Sequence, residues 1–91
     1  MTYSLQYHTL VVGVDIPALP HEWRDKIRYA IKERLTIHPE TYGKPLRRSL
    51  AGYRKLRVGD YRVIFKIEWS IVKIFIIQHR SRVYATAAKR L

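Results

Sequence analysis

The 91-residue chain contains no cysteine. Disulfides and thiolate metal ligands are excluded, the core must hold without disulfides, and a reducing cytoplasm is compatible with that. No apolar run approaches the roughly 18–20 residues that cross a bilayer. Met1-Thr-Tyr-Ser lacks the basic start of a secretory leader, so no signal peptide is expected. Acidic residues are scarce, 7 Asp and Glu against 18 Lys and Arg. Past residue 43 only Asp60 and Glu68 remain, both in expected turns, which leaves nothing to hold Mg²⁺ for two-metal hydrolysis. The four histidines (His8, His21, His38, His79) are dispersed and lack cysteine partners, which argues against zinc. Gly52 and Gly59 belong to a hairpin, not to a phosphate-cradling loop before a helix. No Ser/His/Asp or Cys/His arrangement stands out. Neither a metal nor a cofactor is expected.

What the chain has is cationic charge, unevenly spread. Residues 1–43 balance Arg24, Lys26, Arg28, Lys32 and Arg34 against Asp15, Glu22, Asp25, Glu33 and Glu40. The whole net charge of +11 therefore falls on residues 44–91. The neutral half reads as scaffold and the basic half as a surface for phosphates. An anionic membrane surface competes as the partner. It is the weaker reading, because the cations fall on strands and loops rather than along an amphipathic helix.

The clearest local signal runs from Gly52 to Ile67, two strands around a two-residue turn at Gly59-Asp60. That turn sets Val58 against Tyr61, Arg57 against Arg62, Leu56 against Val63 and Lys55 against Ile64. Alternation then gives one face Leu56, Val58, Tyr61, Val63, Phe65 and Ile67, a core, with Arg54 at its solvated edge. The other face carries Tyr53, Lys55, Arg57, Arg62, Ile64 and Lys66. Like charges opposed across a strand pair repel, and a bound polyanion would relieve them. Lys44, Arg47 and Arg48, just upstream, form a second basic cluster suited to backbone phosphates.

Around this hairpin, Tyr3 to His8 alternates as a first strand with Tyr3, Leu5 and Tyr7 inward. Residues 9–19 read as a short irregular connector, helical or extended. From Pro20 to about Leu35 a single apolar stripe of Trp23, Ile27, Ala30, Ile31 and Leu35 predicts a helix. His38-Pro39-Glu40 breaks it, and 41–45 reads as loop. A turn at Trp69-Ser70 leads into a last strand, Ile71 to Gln78. Val72, Ile74 and Ile76 would extend the core, and Ile71, Lys73, Phe75 and Ile77 would join the basic face. Residues 79–84 leave the sheet, and 85–91 form a short helix.

The motif Lys44-Pro-Leu-Arg-x-Ser-Leu-x-Gly-Tyr-x-x-Leu-Arg-Val-Gly-Asp-Tyr-Arg-Val-Ile-Phe, with His79-Arg80 and Val83-Tyr84 beyond, resembles the RelE/ParE superfamily of toxin–antitoxin toxins. The likeness is greatest to the RelE branch. It covers nearly the whole chain and implies that 1–91 is a single RelE-like toxin domain. The implied fold is α+β and microbial-RNase-like: a twisted, mostly antiparallel sheet of about four strands with N-terminal helices packed on one face. The implied activity is metal-free endoribonuclease cleavage of mRNA, in many relatives in the ribosomal A site, by attack of the 2′-hydroxyl on the adjacent phosphate. Translation would stop and growth arrest. The implied partners are mRNA, the ribosome and a cognate acidic antitoxin, with DNA reached only through the antitoxin complex.

On that resemblance Lys55, Arg62, Arg80 and Tyr84 fall on catalytic positions. Lys55 suits the base for the 2′-hydroxyl. Arg62 and Arg80 suit charge sinks at the nonbridging and leaving oxygens, and Tyr84 suits base stacking or a proton relay. His79 is an outside candidate for proton transfer. Lys44, Arg47, Arg48, Arg54, Arg57 and Lys66 would hold RNA phosphates. A further family lysine maps to Tyr53 or Arg54, and arginine there keeps charge but not acid–base capacity. Two rivals stand beside the nuclease: a ParE-like inhibitor of DNA gyrase on the same fold, and a non-catalytic RNA-binding module.

Overall fold

The expected hairpin forms in the expected register. In the computed structural model, which describes Thr2–Leu91, β3 (Arg54–Val58) and β4 (Tyr61–Glu68) pair antiparallel. Arg57 faces Arg62, Leu56 faces Val63 and Lys55 faces Ile64. Gly59 makes the turn with φ +57°, and a Cβ there would stand 2.4 Å from the ring of Trp23. The position thus demands glycine twice, for its left-handed backbone and for the close approach of an indole. Gly59→Ala is expected to destabilise the fold by about 2 kcal/mol, read as a lower urea midpoint at unchanged m-value.

The remaining strands are β1 (Ser4–Tyr7), β2 (Lys44–Pro45) and β5 (Ile71–His79). The sheet order is β1-β5-β4-β3-β2, with β1 parallel to β5 and the other pairings antiparallel. Sequence alternation suggests about four strands. The fifth is β2, only two residues long, in a stretch that reads as loop because Pro45 tolerates nothing but an edge.

The connector at 9–18 is helical (α1), wound as a π turn over Val11–Asp15 and as α over Ile16–Ala18. α2 (21–35) follows Pro20, and its stripe behaves as expected: Ile27, Ala30, Ile31 and Leu35 are buried and Trp23 half-buried. α3 (Pro39–Tyr42) is a single turn where a loop is expected. α1 and α2 cover one sheet face, packing Val11, Leu19, Ile27, Ile31 and Leu35 on Leu56, Val63, Phe65, Val72, Ile74 and Ile77. Among the described residues no helix is long and apolar enough to cross a membrane.

Two features go beyond expectation. α4 (Val83–Arg90) lies on the opposite sheet face, where Val83 and Ala87 cover Ile64 and Ile76. The N-terminal helices thus share one face, as the resemblance implies, and the C-terminal helix covers the other. The second feature is a β-bulge. Ile64 pairs with Ile76 but Phe65 with Ile74, so Phe75 is an extra residue in β5. One inserted residue reverses every side chain beyond it. Ile77 thus enters the main core and Ile76 the second face, the reverse of simple alternation.

Among the described residues two non-glycines take left-handed backbone, Arg48 with φ 57° and Trp69 with φ 58°. Arg48 sits in the short helical turn Arg48–Leu50 between β2 and β3. The conformation costs about 1–2 kcal/mol, and glycine would regain part of that against its greater unfolded-state freedom. Arg48→Gly is expected to raise stability by about 0.5–1 kcal/mol in denaturant titrations.

Candidate active site

Strand pairing gathers cations from three neighbouring strands on the face opposite α1 and α2. Lys44 of β2 lies opposite Lys55 of β3, and Arg57 of β3 opposite Arg62 of β4. With Tyr42 at the end of α3, these four line a cavity of about 180 Å³. Its lining holds four cations and no carboxylate, so the repulsion expected from the sequence is present and an anion would relieve it. Space for several waters, at roughly 30 Å³ each, admits a phosphate group.

Tyr84 completes the hollow from the first turn of α4. The Lys55 ammonium donates to Tyr84 Oη at 3.2 Å and lies 5.9 Å from the ring centroid. The Arg62 guanidinium is held by its own turn, Nη1 donating to the Gly59 and Tyr61 carbonyls at 2.9 Å each.

The other candidates are placed differently. Arg80 stands beside the same turn: its backbone N–H donates to the Asp60 carbonyl at 2.8 Å, and its Nε lies 3.9 Å from the Asp60 carboxylate. It is mostly exposed and does not line the hollow. Arg54 is turned to the helix-side face, where it donates to the carbonyls of Gly43 (3.0 Å) and Glu40 (3.4 Å). It therefore does not join the residues that line the hollow. Strand parity sends it away from Lys55 and Arg57, and it ties α3 to the sheet. Tyr53, the other position for the family lysine, is on the cationic face.

Lys66 shares that face but lies 5.2 Å over the Tyr53 ring, opposite Lys73. Ile64, capped by α4, stands between it and Arg62. Lys73 is itself paired with Glu68 at 2.7 Å, and this hydrogen bond with its charge attraction holds Glu68 below the usual carboxylate range. Arg47 and Arg48 are exposed beside β2 and do not line the cavity. His79 faces the helix side, edge-on to Tyr61 at 5.5 Å, with Nδ1 2.9 Å from Ser81 Oγ.

The fold and this cluster can be set beside known proteins. The model of the ParE toxin of type II toxin–antitoxin systems matches residues 15–84, a span that contains every residue of the hollow. The chain belongs to the RelE/ParE family of type II toxins. Among curated relatives of this family toxin, Toxin RelG of Mycobacterium tuberculosis is 42% identical over 90 residues, covering 92% of this chain and 98% of RelG. Toxin RelE of the same organism is 36% identical over 87 residues, 86% of each chain. Among solved structures, the RelBE2 toxin–antitoxin complex of M. tuberculosis superposes with a TM-score of 0.82 at 30% identity, covering 89% of this chain and 94% of that one. A free E. coli RelE mutant shares the fold, with a TM-score of 0.67 at 19% identity and coverage of 100% and 99%.

Two residues near the toxin's hollow were not singled out from the sequence. Tyr42 lines it, but a tyrosine in an expected loop carries no periodic signal. Gln78 pairs with Arg62 across β4 and β5, and its side chain reaches Asp15 and Thr86. Only the bulge at Phe75 gives it that direction.

Proposed function

We propose that this toxin is a metal-free endoribonuclease that cleaves mRNA, in the ribosomal A site, and so inhibits translation. The observation that carries the reading is the Lys55–Tyr84 contact of 3.2 Å at the mouth of a hollow lined by Lys44, Lys55, Arg57 and Arg62. In the reaction Lys55, as the free amine, accepts the proton of the 2′-hydroxyl as its oxygen bonds to the adjacent phosphorus. The bond from phosphorus to the 5′-oxygen then breaks, and that oxygen takes a proton from water or through Tyr84, leaving a 2′,3′-cyclic phosphate and a free 5′-hydroxyl. Arg62 and Arg57, permanently charged, stabilise the nonbridging oxygens as negative charge builds on the phosphorane. Arg80 reaches the leaving side from the Gly59-Asp60 turn once it lets go of Asp60, and Tyr84 stacks on a base or relays a proton. Lys44, Arg47, Arg48 and Lys66 hold flanking phosphates. The reading asks no metal of the site.

A cognate antitoxin is part of the proposal, since the similar RelBE2 structure is a toxin–antitoxin complex. It would be acidic, to neutralise the basic half, with an apolar segment for the exposed Leu10, Val12 and Val14 of α1 or for Phe75. The toxin would act in the cytoplasm, where its ribosomes are. The match to a ParE family model favours a second reading, inhibition of DNA gyrase. Primer extension on mRNA from induced cells, run beside a gyrase supercoiling assay, separates the two. Cuts within codons with normal supercoiling support the nuclease, and uncut mRNA with inhibited gyrase sinks it.

A further inference from the structure

Asp15 is the one charged residue buried in the protein interior among those described, at 2% exposure. It lies in the π turn of α1 and does not line the cationic hollow. Its Oδ2 accepts from the Ile77 backbone N–H at 2.9 Å and from Arg90 Nη1 at 2.7 Å. Its Oδ1 accepts from Arg90 Nη2 and from Gln78 Nε2, both at 3.1 Å. Arg90 Nη1 also donates to the Phe75 carbonyl at 3.0 Å. Phe75 is the bulged residue of β5 and Ile77 lies two positions on, both just past the last β1 pairing at Ile74. Carboxylate and guanidinium thus satisfy backbone groups where no strand continues. Gln78, held by Asp15, accepts in turn from the Thr86 hydroxyl of α4.

This network reaches α4 at Thr86 and Arg90, and α4 brings Tyr84 to Lys55. An eight-residue helix is too short to hold itself, and α4 has no side-chain N-cap. Its buried apolar anchors are Val83 and Ala87, small side chains packed with Ile64 and Ile76 and edged by Leu46, Leu50, Tyr53 and Phe75. Such a contact resists lifting but sets position poorly. A two-pronged guanidinium–carboxylate pair at the last turn and a hydroxyl–amide bond at the middle set the helix along and around its axis.

We propose that Asp15 is a positioning residue: through Arg90 and Gln78 it locks α4 in the place that sets Tyr84 against Lys55. The inference rests on the nuclease reading for its catalytic consequence but not for its structural one. Two purified variants test it, Arg90→Gln, which removes the pair, and Thr86→Val, which keeps shape and deletes only the hydroxyl. Single-turnover cleavage of mRNA on programmed ribosomes is measured with ribosome affinity, and amide exchange is followed across α4.

Arg90→Gln is expected to slow cleavage about a hundredfold, the cost of a misplacement near one ångström, with affinity nearly unchanged. Thr86→Val is expected to slow it about fivefold. In a Tyr84→Ala background neither should slow it further, because both act through Tyr84. Arg90→Lys, which keeps the charge but not the fork, should recover only part of the rate. Exchange should quicken across 83–90 while β3 to β5 stay protected.

A folded Arg90→Gln protein with normal rate, or one that slows Tyr84→Ala as much as the parent, overturns the proposal. If Arg90→Gln does not fold, Thr86→Val decides by the same criteria. If the parent protein cleaves nothing, the nuclease reading fails. The lock is then judged by exchange alone, and unchanged protection of α4 overturns it.

Discussion

On the proposed mechanism, Lys55→Met is expected to lower the single-turnover rate of mRNA cleavage by about 10²–10⁴-fold, the usual contribution of a general base. Methionine keeps the length of the apolar stem, so packing on β3 is preserved while the amine is lost. Stability should not fall, since the substitution removes one member of a cluster in which Lys44 opposes Lys55 and Arg57 opposes Arg62. Affinity for RNA should fall far less than the rate, by the loss of one phosphate contact. Lys55→Arg separates charge from proton transfer: it retains the cation but cannot act as a base near neutrality. With arginine in place of lysine the rate should stay as low as in Lys55→Met while RNA affinity is kept. A Lys55→Met protein that cleaves normally would remove Lys55 from the chemistry. A parent that binds RNA without cutting it would favour the non-catalytic module.

The second large effect is on folding. Asp15→Ala is expected to cost about 3–5 kcal/mol, because it leaves the Arg90 guanidinium buried without its counter-charge and the Ile77 N–H without an acceptor. Urea titration followed by tryptophan fluorescence measures the loss, with Trp23 reporting from the core edge. The paired replacement Asp15→Ala with Arg90→Met should recover much of it, since an apolar pair of similar volume has no buried charge to satisfy. If the single variant is as stable as the parent, the ion pair is not under the strain its burial implies. If the double is no better than the single, the cost lies in the backbone caps at Ile77 and Phe75 rather than in the uncompensated charge.

The two predictions draw on parts of the molecule that were unequally visible in the sequence. The hollow was largely visible: Lys55, Arg57 and Arg62 share a face because a two-residue turn at Gly59 leaves only one register for two alternating strands. Arg54 went to the opposite face for the same reason. Arg80 and Tyr84 were placed only by resemblance, and the structure joins Tyr84 to Lys55 while leaving Arg80 on Asp60.

β5 was the least legible element. Ile71 to Ile77 is apolar on both faces, so no alternation specifies its register, and the bulge at Phe75 could not be read from it. Strand, turn and helix assignments for the hairpin and α2 followed from the sequence alone because their determinants are local: a glycine with the right backbone freedom, a period of two, a stripe of period 3.6. The bulge, the seat of α4 on the second face and the Asp15–Arg90 pair were decided only by tertiary structure. Their partners lie as many as 75 positions apart, and burial of a charge has meaning only once the chain has closed around it.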